Sequence, residues 1–486
     1  MDKVFLLQRS TPEAQGVHSE HILKFIDRAE QLRTGNMDQD FHSFMLLRHG
    51  YVIAEGWWKP YEKEHNHMLF SLSKSFTSTA VGFAVQEGLL TVNDCVVTYF
   101  PEECQNPGEL LSKMQIRHLL SMSTGHVADT QPFFLQREDG NWAKAFFEVP
   151  VEKEPGTHFL YNTGATYMLS VILQRVTGRK LIDYLKPRLF EPLGIESPTW
   201  ETCPRGYNTG GYGLKVRTED IAKFGQLYLN KGSLDGRQYL TPEWIHEATS
   251  IQSDNFKGEA DSDWQQGYGY QFWRCRHNAY RGDGAFGQYC VVMPEQDMLL
   301  AVTGGMSNLQ KPLEILWDEI LPKVEDKVLP DSPEYDRLIR KLSELELLRP
   351  AGKNNPVLEA RLEGKAYQLE ENEEHINKIS FKFKKDSAAL VYERNGKQNI
   401  LEAGIGRWIS GTFFFNRQQE YCETAGSWQE DRTLLIQSRF VEMPFALELK
   451  IRFEDDKLDK LSLETKLNVS FTGPVTGRIA GMAVSE

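Results

Sequence analysis

The stretch that decides the fold is Phe70-Ser71-Leu72-Ser73-Lys74-Ser75-Phe76-Thr77-Ser78-Thr79-Ala80, which continues through Val81, Phe83, Ala84 and Val85 to Gly88. Its apolar residues cover nearly every side of a helix, so the spacing predicts a central, buried helix from about Ser71 to Gln86, stopped by Gly88. Ser71 and Lys74 are three positions apart and share one face of its first turn. A serine hydroxyl is a weak nucleophile, and a lysine takes its proton only when desolvation or a neighbouring cation brings the amine towards neutrality. The apolar helix surface offers that desolvation. The helix dipole and the free amide of Ser71 favour negative charge on a carbonyl oxygen under attack. The motif alone proves little, because Ser-x-x-Lys arises about twice by chance in a chain this long. Ser73, Ser75 and Ser78 read equally as back-bonding helix hydroxyls, and Lys74 as a solvated charge.

Two other segments supply what a Ser-Lys pair needs. In Pro155-Gly156-Thr157-His158-Phe159-Leu160-Tyr161-Asn162-Thr163-Gly164, a turn feeds an extended piece and then a helix. A tyrosine held there beside Lys74 would gain phenolate character from the ammonium, which makes Tyr161 a candidate general base and acid; the alternative is a tyrosine packed at the start of a helix. In Tyr280-Arg281-Gly282-Asp283-Gly284-Ala285-Phe286-Gly287-Gln288, three glycines allow close backbone approach to a ligand, and a strand amide at Ala285 is a second oxyanion donor beside that of Ser71. The plain alternative is a glycine-rich hairpin turn with Asp283 as a solvated turn residue.

Around these segments the chain is organised in two styles. A helix is expected within Thr11 to Leu32, a hairpin from Phe44 to Trp57 turning at Gly50, and helices near Tyr167 to Val176 and Thr218 to Leu229. Strands are expected at Tyr268 to Arg274, Gly287 to Met293 and Met298 to Thr303, with a closing helix at Pro312 to Ile320. This order implies an α+β domain whose antiparallel sheet, flanked by helices, is assembled from both ends of residues 1–325. Residues 326–355, with Pro330, Pro333 and Pro350 about a charged helical stretch, read as a linker. Beyond it the period becomes two, as in Leu447-Glu448-Leu449-Lys450-Ile451-Arg452-Phe453, so residues 356–486 are expected to form a small all-β accessory domain, barrel or sandwich.

The 486 residues are 40% hydrophobic and 25% charged, enough for large cores, and the net charge of −13 argues against a phosphate-binding or anionic-membrane surface. Neither nucleic acid nor a membrane is therefore expected as a partner. The six scattered cysteines form no CxxC pair, and the run from Met1 to Ser10 is too short for a signal-peptide core, so a cytoplasmic location is expected. His65-Asn66-His67 places two imidazoles on one strand face without an identifiable third ligand, and no metal is expected.

Taken in order, the segments resemble the penicillin-recognising serine hydrolases: class C β-lactamases, DD-peptidases and their esterase and amidase relatives. The resemblance covers roughly Ser10 to Leu321 and includes Ile116-Arg117-His118-Leu119-Leu120-Ser121 and Gly210-Gly211-Tyr212-Gly213-Leu214. It implies an acyl-enzyme mechanism without a cofactor, with Ser71 attacking a carbonyl and Lys74 and Tyr161 moving protons. Substrate contacts are expected at Asn162, Thr163, Asp283 and Gly284. Two departures matter. Thr163 stands where the family's motif carries asparagine, with Asn162 one place early, and Gly282-Asp283-Gly284 replaces a Lys-Thr-Gly or His-x-Gly strand. Without that cation the carboxylate of a penicillin loses its partner, so a serine hydrolase acting on a small ester, amide or peptide, with weak or no β-lactamase activity, is expected. Asp283 is the expected recognition residue if substrates carry an amine, as for an aminopeptidase or amidase; a catalytically weak ligand-binding protein is the other alternative.

Overall fold

The computed structural model describes residues 4–33, 35, 37–415, 418–473 and 475–484; Met1 to Lys3, at the head of the amino-terminal run, lie outside the described residues. Helix α1 (Ser19–Gln31) is followed by the hairpin β1 (Gln39–Arg48) and β2 (Tyr51–Trp57), and then by α2 (Ser73–Gln86), α3 (Thr163–Thr177) and α4 (Thr218–Leu229). Strands β3 (Tyr280–Gly284), β4 (Gln288–Met293) and β5 (Met298–Met306) complete the sheet. Its seven strands run in the order Gln8–Arg9, β2, β1, β5, β4, β3, Trp273–Arg274. The early hairpin therefore meets the late meander along β1 and β5, with Leu46 opposite Leu300. This is the α+β sheet built from both ends of the segment.

All ten residues of β1 are buried, because both faces of the sheet are covered. Alternate side chains enter different cores. Met45 and Leu47 join α2, α3 and α4, whereas Phe44 and Leu46 join α1. The same split recurs on β4, where Cys290 and Val292 face the first core and Tyr289 and Val291 the second.

Three local expectations are corrected. The strand expected over Tyr268 to Arg274 is reduced to Trp273–Arg274, because Gln271 takes a left-handed backbone (φ 65°) and its amide donates to the carbonyls of Leu119 and Leu120, tying the segment to a helix end. The amino-terminal helix begins only at Ser19, whose amide and hydroxyl are held by the Glu13 carboxylate after a turn closed by Gly16. Helix α2 begins at Ser73, and Ser71 lies in the 3-10 turn Phe70–Leu72 before it.

Helix α5 (Pro333–Ser343) lies in the stretch read as a linker, and it packs against α1 through Leu338, with the Lys341 ammonium on the Glu30 carboxylate. Beyond it come β6 (Ala366–Leu369), β7 (Ile376–Lys384), β8 (Ser387–Arg394), β9 (Lys397–Ile405), β10 (Ile409–Phe415), β11 (Gln418–Trp428), β12 (Thr433–Phe440), β13 (Ala446–Phe453), β14 (Lys460–Leu467) and β15 (Val475–Val484). Nine of these strands close into a barrel, because β9 pairs in parallel with β11 through Gly404 and Ile405, and β10 is added outside on β11. Closure removes most of the free strand edge. The interior is filled with side chains such as Tyr367, Phe381, Leu401, Ile436 and Ile451.

The barrel is joined to the sheet by buried polar contacts. Arg439 on β12 donates to Asp40 on β1 at 2.6 Å, both side chains being almost wholly buried, and the Met68 amide donates to the Glu442 carbonyl at 2.8 Å. Removing one partner of a buried ion pair strands the other charge. Asp40→Asn should thus lower the unfolding free energy by about 3 kcal/mol in urea titration. An unchanged midpoint would show that the pair does not hold the barrel in place.

Candidate active site

Helix α2 is held from all sides. Phe76 stacks on Phe224 at 4.0 Å, the Ser75 hydroxyl donates to the Gln271 carbonyl, the Thr77 hydroxyl donates to the Gly210 carbonyl, and Ser73 accepts the Leu214 amide. These hydroxyls are thus spent on structure, but Ser73 and Ser75 bond to other segments and not back along their own helix. Ser71 is different: it is only half-buried.

Lys74 is buried, and its Nζ donates to the Gly211 carbonyl at 2.8 Å, lies 3.0 Å from Ser71 Oγ and reaches Thr163 Oγ1 at 3.3 Å. Burial lowers its pKa to about 7, with Asp129 and Asp283 opposing. Near neutral pH a large fraction of Lys74 is therefore a free amine with a lone pair available to the Ser71 proton. The structure brings Ser71, Lys74 and Thr163 together, and Thr163 meets the lysine although the family's motif carries asparagine at that position.

Tyr161 stands on the extended piece before α3, its ring stacked on Trp273 at 5.3 Å and 4.9 Å from the Lys74 ammonium. Its protonation differs from the expected phenolate. Burial raises the phenol well above its ordinary value, opposed by contact with the Ser71 hydroxyl and reinforced by Asp283 and Asp129. This environment favours the protonated phenol over the phenolate character expected from the neighbouring ammonium.

Asn162 turns inward. Its Oδ1 accepts from the Thr130 amide and hydroxyl and from the Ala165 amide, so it caps α3 and ties it to the preceding loop. It does not reach the cleft that its place beside Tyr161 suggested.

Strand β3 passes close to the nucleophile turn. A Cβ at Gly284 would lie 2.1 Å from the Leu69 carbonyl oxygen, and one at Gly282 would lie 2.2 Å from Leu72. Only glycine permits that approach. The chain then turns through Ala285, Phe286 (φ 66°) and Gly287 (φ 94°) into β4. Among the described residues, the amides of Ser71 and Ala285 donate no hydrogen bond within the chain. A backbone amide without a partner in the chain is free to donate to a developing oxyanion.

Asp283 is neither a solvated turn residue nor a free carboxylate. It is buried in β3 and paired with Arg281, whose Nε and guanidinium nitrogen both lie 2.8 Å from Oδ2. Burial pushes the carboxyl upward and Arg281 opposes. Arg281 is itself anchored on the Asp263 carbonyl and over the Trp264 ring.

The sequence reading missed Asp129. Half-buried beside Lys74, it accepts the amides of Gln131 and Thr163 on Oδ1 at 3.0 Å each, and its Oδ2 takes no donor from the described residues. Asp-Thr-Gln-Pro reads as an ordinary helix start, and nothing in it signals that the loop folds back over α3. The Gly211 carbonyl was missed likewise, within a segment quoted only for its resemblance.

The two imidazoles expected on one strand face are separated in role. His67 faces His42 at 3.0 Å inside the core, and His65 accepts the Glu62 amide.

A serine bound to a desolvated lysine, beside a protonated tyrosine and two free amides, is the equipment of a serine hydrolase. The family model described as Beta-lactamase matches residues 40–318, more than half of the chain, and the protein belongs to the beta-lactamase family. Members of this family are serine hydrolases. The chain is 24% identical over 278 residues to the 6-aminohexanoate-dimer hydrolase of Paenarthrobacter ureafaciens, spanning 53% of this chain and 71% of that protein. Among solved structures, EstCE1, "a hydrolase with promiscuous acyltransferase activity", aligns with a TM-score of 0.51 and 18% identity over 61% of this chain and 98% of that one. The structure of SurE with D-Leu aligns at a TM-score of 0.50 and 16% identity over 96% of this chain and all of the other, so its likeness in fold extends over the barrel. Among the described residues, no helix is long and apolar enough to cross a membrane.

The capping role of Asn162 is open to a direct test. Asn162→Ala should cost about 1 to 2 kcal/mol of stability in urea unfolding. A variant as stable as the parent would remove the cap from the account of how Tyr161 is held.

Proposed function

We propose that the protein hydrolyses a small ester or amide through an acyl-enzyme on Ser71. The observation that carries this reading is the 3.0 Å contact between Ser71 Oγ and the buried Lys74 Nζ. The neutral amine takes the hydroxyl proton as Oγ adds to the substrate carbonyl, and the negative oxygen is held by the Ser71 and Ala285 amides. Tyr161, as a phenol, passes a proton to the leaving group and is recharged from the Lys74 ammonium. Water then adds to the ester, the same groups moving protons in reverse, and releases the acid.

Penicillins and D-alanyl peptides are poor candidates, because Gly282-Asp283-Gly284 lacks the cationic side chain of the family's strand motif and Arg281 is committed to Asp283. Amine-bearing amides form a second reading. Asp283 does not favour it, but the open Oδ2 of Asp129 beside Lys74 does, and the matched hydrolase is named for the dimer of an amino acid. The six free cysteines support a reducing, cytoplasmic setting. A catalytically weak ligand-binding role would leave the lowered lysine pKa without use.

Three outcomes test the proposal. Ser71→Ala should lower hydrolysis of p-nitrophenyl butyrate by at least about 10³-fold and abolish labelling by a fluorophosphonate; full turnover in the variant would sink the mechanism. Because the working form of Lys74 is the free amine, kcat/KM should rise with pH through a pKa near 7 and level off above it. A profile flat from pH 5 to about 9 would exclude Lys74 as the base. Asp129→Asn should weaken preference for substrates with a free amine over their acetylated forms, whereas Asp283→Asn should not; equal selectivity in Asp129→Asn and the parent would count against the second reading.

A further inference from the structure

The two free amides sit next to the two aromatic residues with left-handed backbones in this part of the chain. Phe70, immediately before Ser71, has φ 46°, and Phe286, immediately after Ala285, has φ 66°. An aromatic L-residue seldom adopts this conformation unless its surroundings over-determine it. Those surroundings come from the barrel. The Phe70 and Phe286 rings meet edge to face at 5.5 Å. Phe445, just before β13, lies 6.2 Å from Phe70 and 5.7 Å from Phe286. Phe471, on the loop between β14 and β15, lies 5.7 Å from Phe70 and 4.7 Å from Phe286. Phe286 belongs to the hydrophobic core of the barrel, and Phe70 and Ala285 pack against it, although all three are part of the hydrolase sheet and its nucleophile turn.

We propose, resting on the hydrolase reading above, that Phe445 and Phe471 are positioning residues through which the barrel holds the oxyanion site in shape. The Ser71 amide belongs to the peptide that follows Phe70, so its direction depends on the backbone that the clamp maintains at Phe70, and the Ala285 amide is placed by the turn that Phe286 continues. Loosening the clamp lets Phe70 relax to negative φ, which turns the Ser71 amide away from the substrate oxygen, and lets the turn at Phe286 relax, which shifts Ala285. Ground-state binding hardly uses these donors, whereas the tetrahedral states of both acylation and deacylation depend on them.

Phe471 is 72% exposed, so Phe471→Ala leaves the cores intact. In the full chain it should lower kcat for p-nitrophenyl butyrate about tenfold while KM stays within about twofold. Phenylboronic acid forms a tetrahedral anion on Ser71 Oγ, and its inhibition constant should rise by a similar factor. Phe471→Tyr, which keeps the ring, should restore all three values, and Phe445→Leu should reproduce the loss from the other side of the cluster. Unchanged kcat and boronate affinity in both Phe471→Ala and Phe445→Leu would overturn the proposal. So would a rise in KM alone, which would make Phe471 a wall for the substrate. If the parent protein takes no fluorophosphonate on Ser71 and releases no p-nitrophenol, both readings fall. If the parent is labelled and active but both Phe471→Ala and Phe445→Leu keep full kcat and boronate affinity, only the clamp falls.

Discussion

Desolvation of one amine organises this structure. Lys74 lies on the first turn of a helix whose every side is packed, and its Nζ is left with a carbonyl, two hydroxyls and an aromatic face as neighbours. Moving its pKa from 10.5 to about 7 corresponds to roughly 5 kcal/mol of preference against the charged form. That preference depends on excluding water, and excluding water requires α3, α4 and β3 to close around α2. The glycines of β3 bring that strand against the turn before α2, the Gly211 turn brings a carbonyl onto Lys74, and the Asn162 cap fixes the start of α3.

Two carboxylates act on Lys74, and they differ in their partners. Arg281 and Asp283 neutralise one another beneath β3, which leaves Asp129 as the carboxylate with an open oxygen near the serine. Replacing the family's cationic strand motif by Gly-Asp-Gly therefore does more than delete a charge, because the aspartate retains the neighbouring arginine.

The barrel is bound into the catalytic half and is not merely tethered to it. Its buried Arg439 ends on β1, its Glu442 carbonyl receives the amide of Met68 two residues before Phe70, and its aromatic core includes Phe286. Since interiors are close-packed, a displacement of the barrel is transmitted to the turn that carries Ser71. Phe471, an exposed aromatic on a barrel loop, makes sense in this light as a contact made for the neighbouring segment.

The central helix, the hairpin β1–β2, the helix α4 and the change to period two were all legible in the sequence, because burial on a helix or strand imposes a period that composition records locally. So were Ser71, Lys74, Tyr161 and the Gly282-to-Gly287 turn, whose residue types suit their chemistry. Tertiary structure alone decided the protonation of Tyr161, the inward turn of Asn162, the pairing of Asp283 with Arg281 and the presence of Asp129 beside Lys74. It also decided that the barrel's phenylalanines meet the nucleophile turn. The physical reason is range. Periodicity and turn chemistry act between residues a few positions apart, whereas desolvation, ion pairing and ring packing depend on segments that only the closed fold brings within a few ångströms of one another.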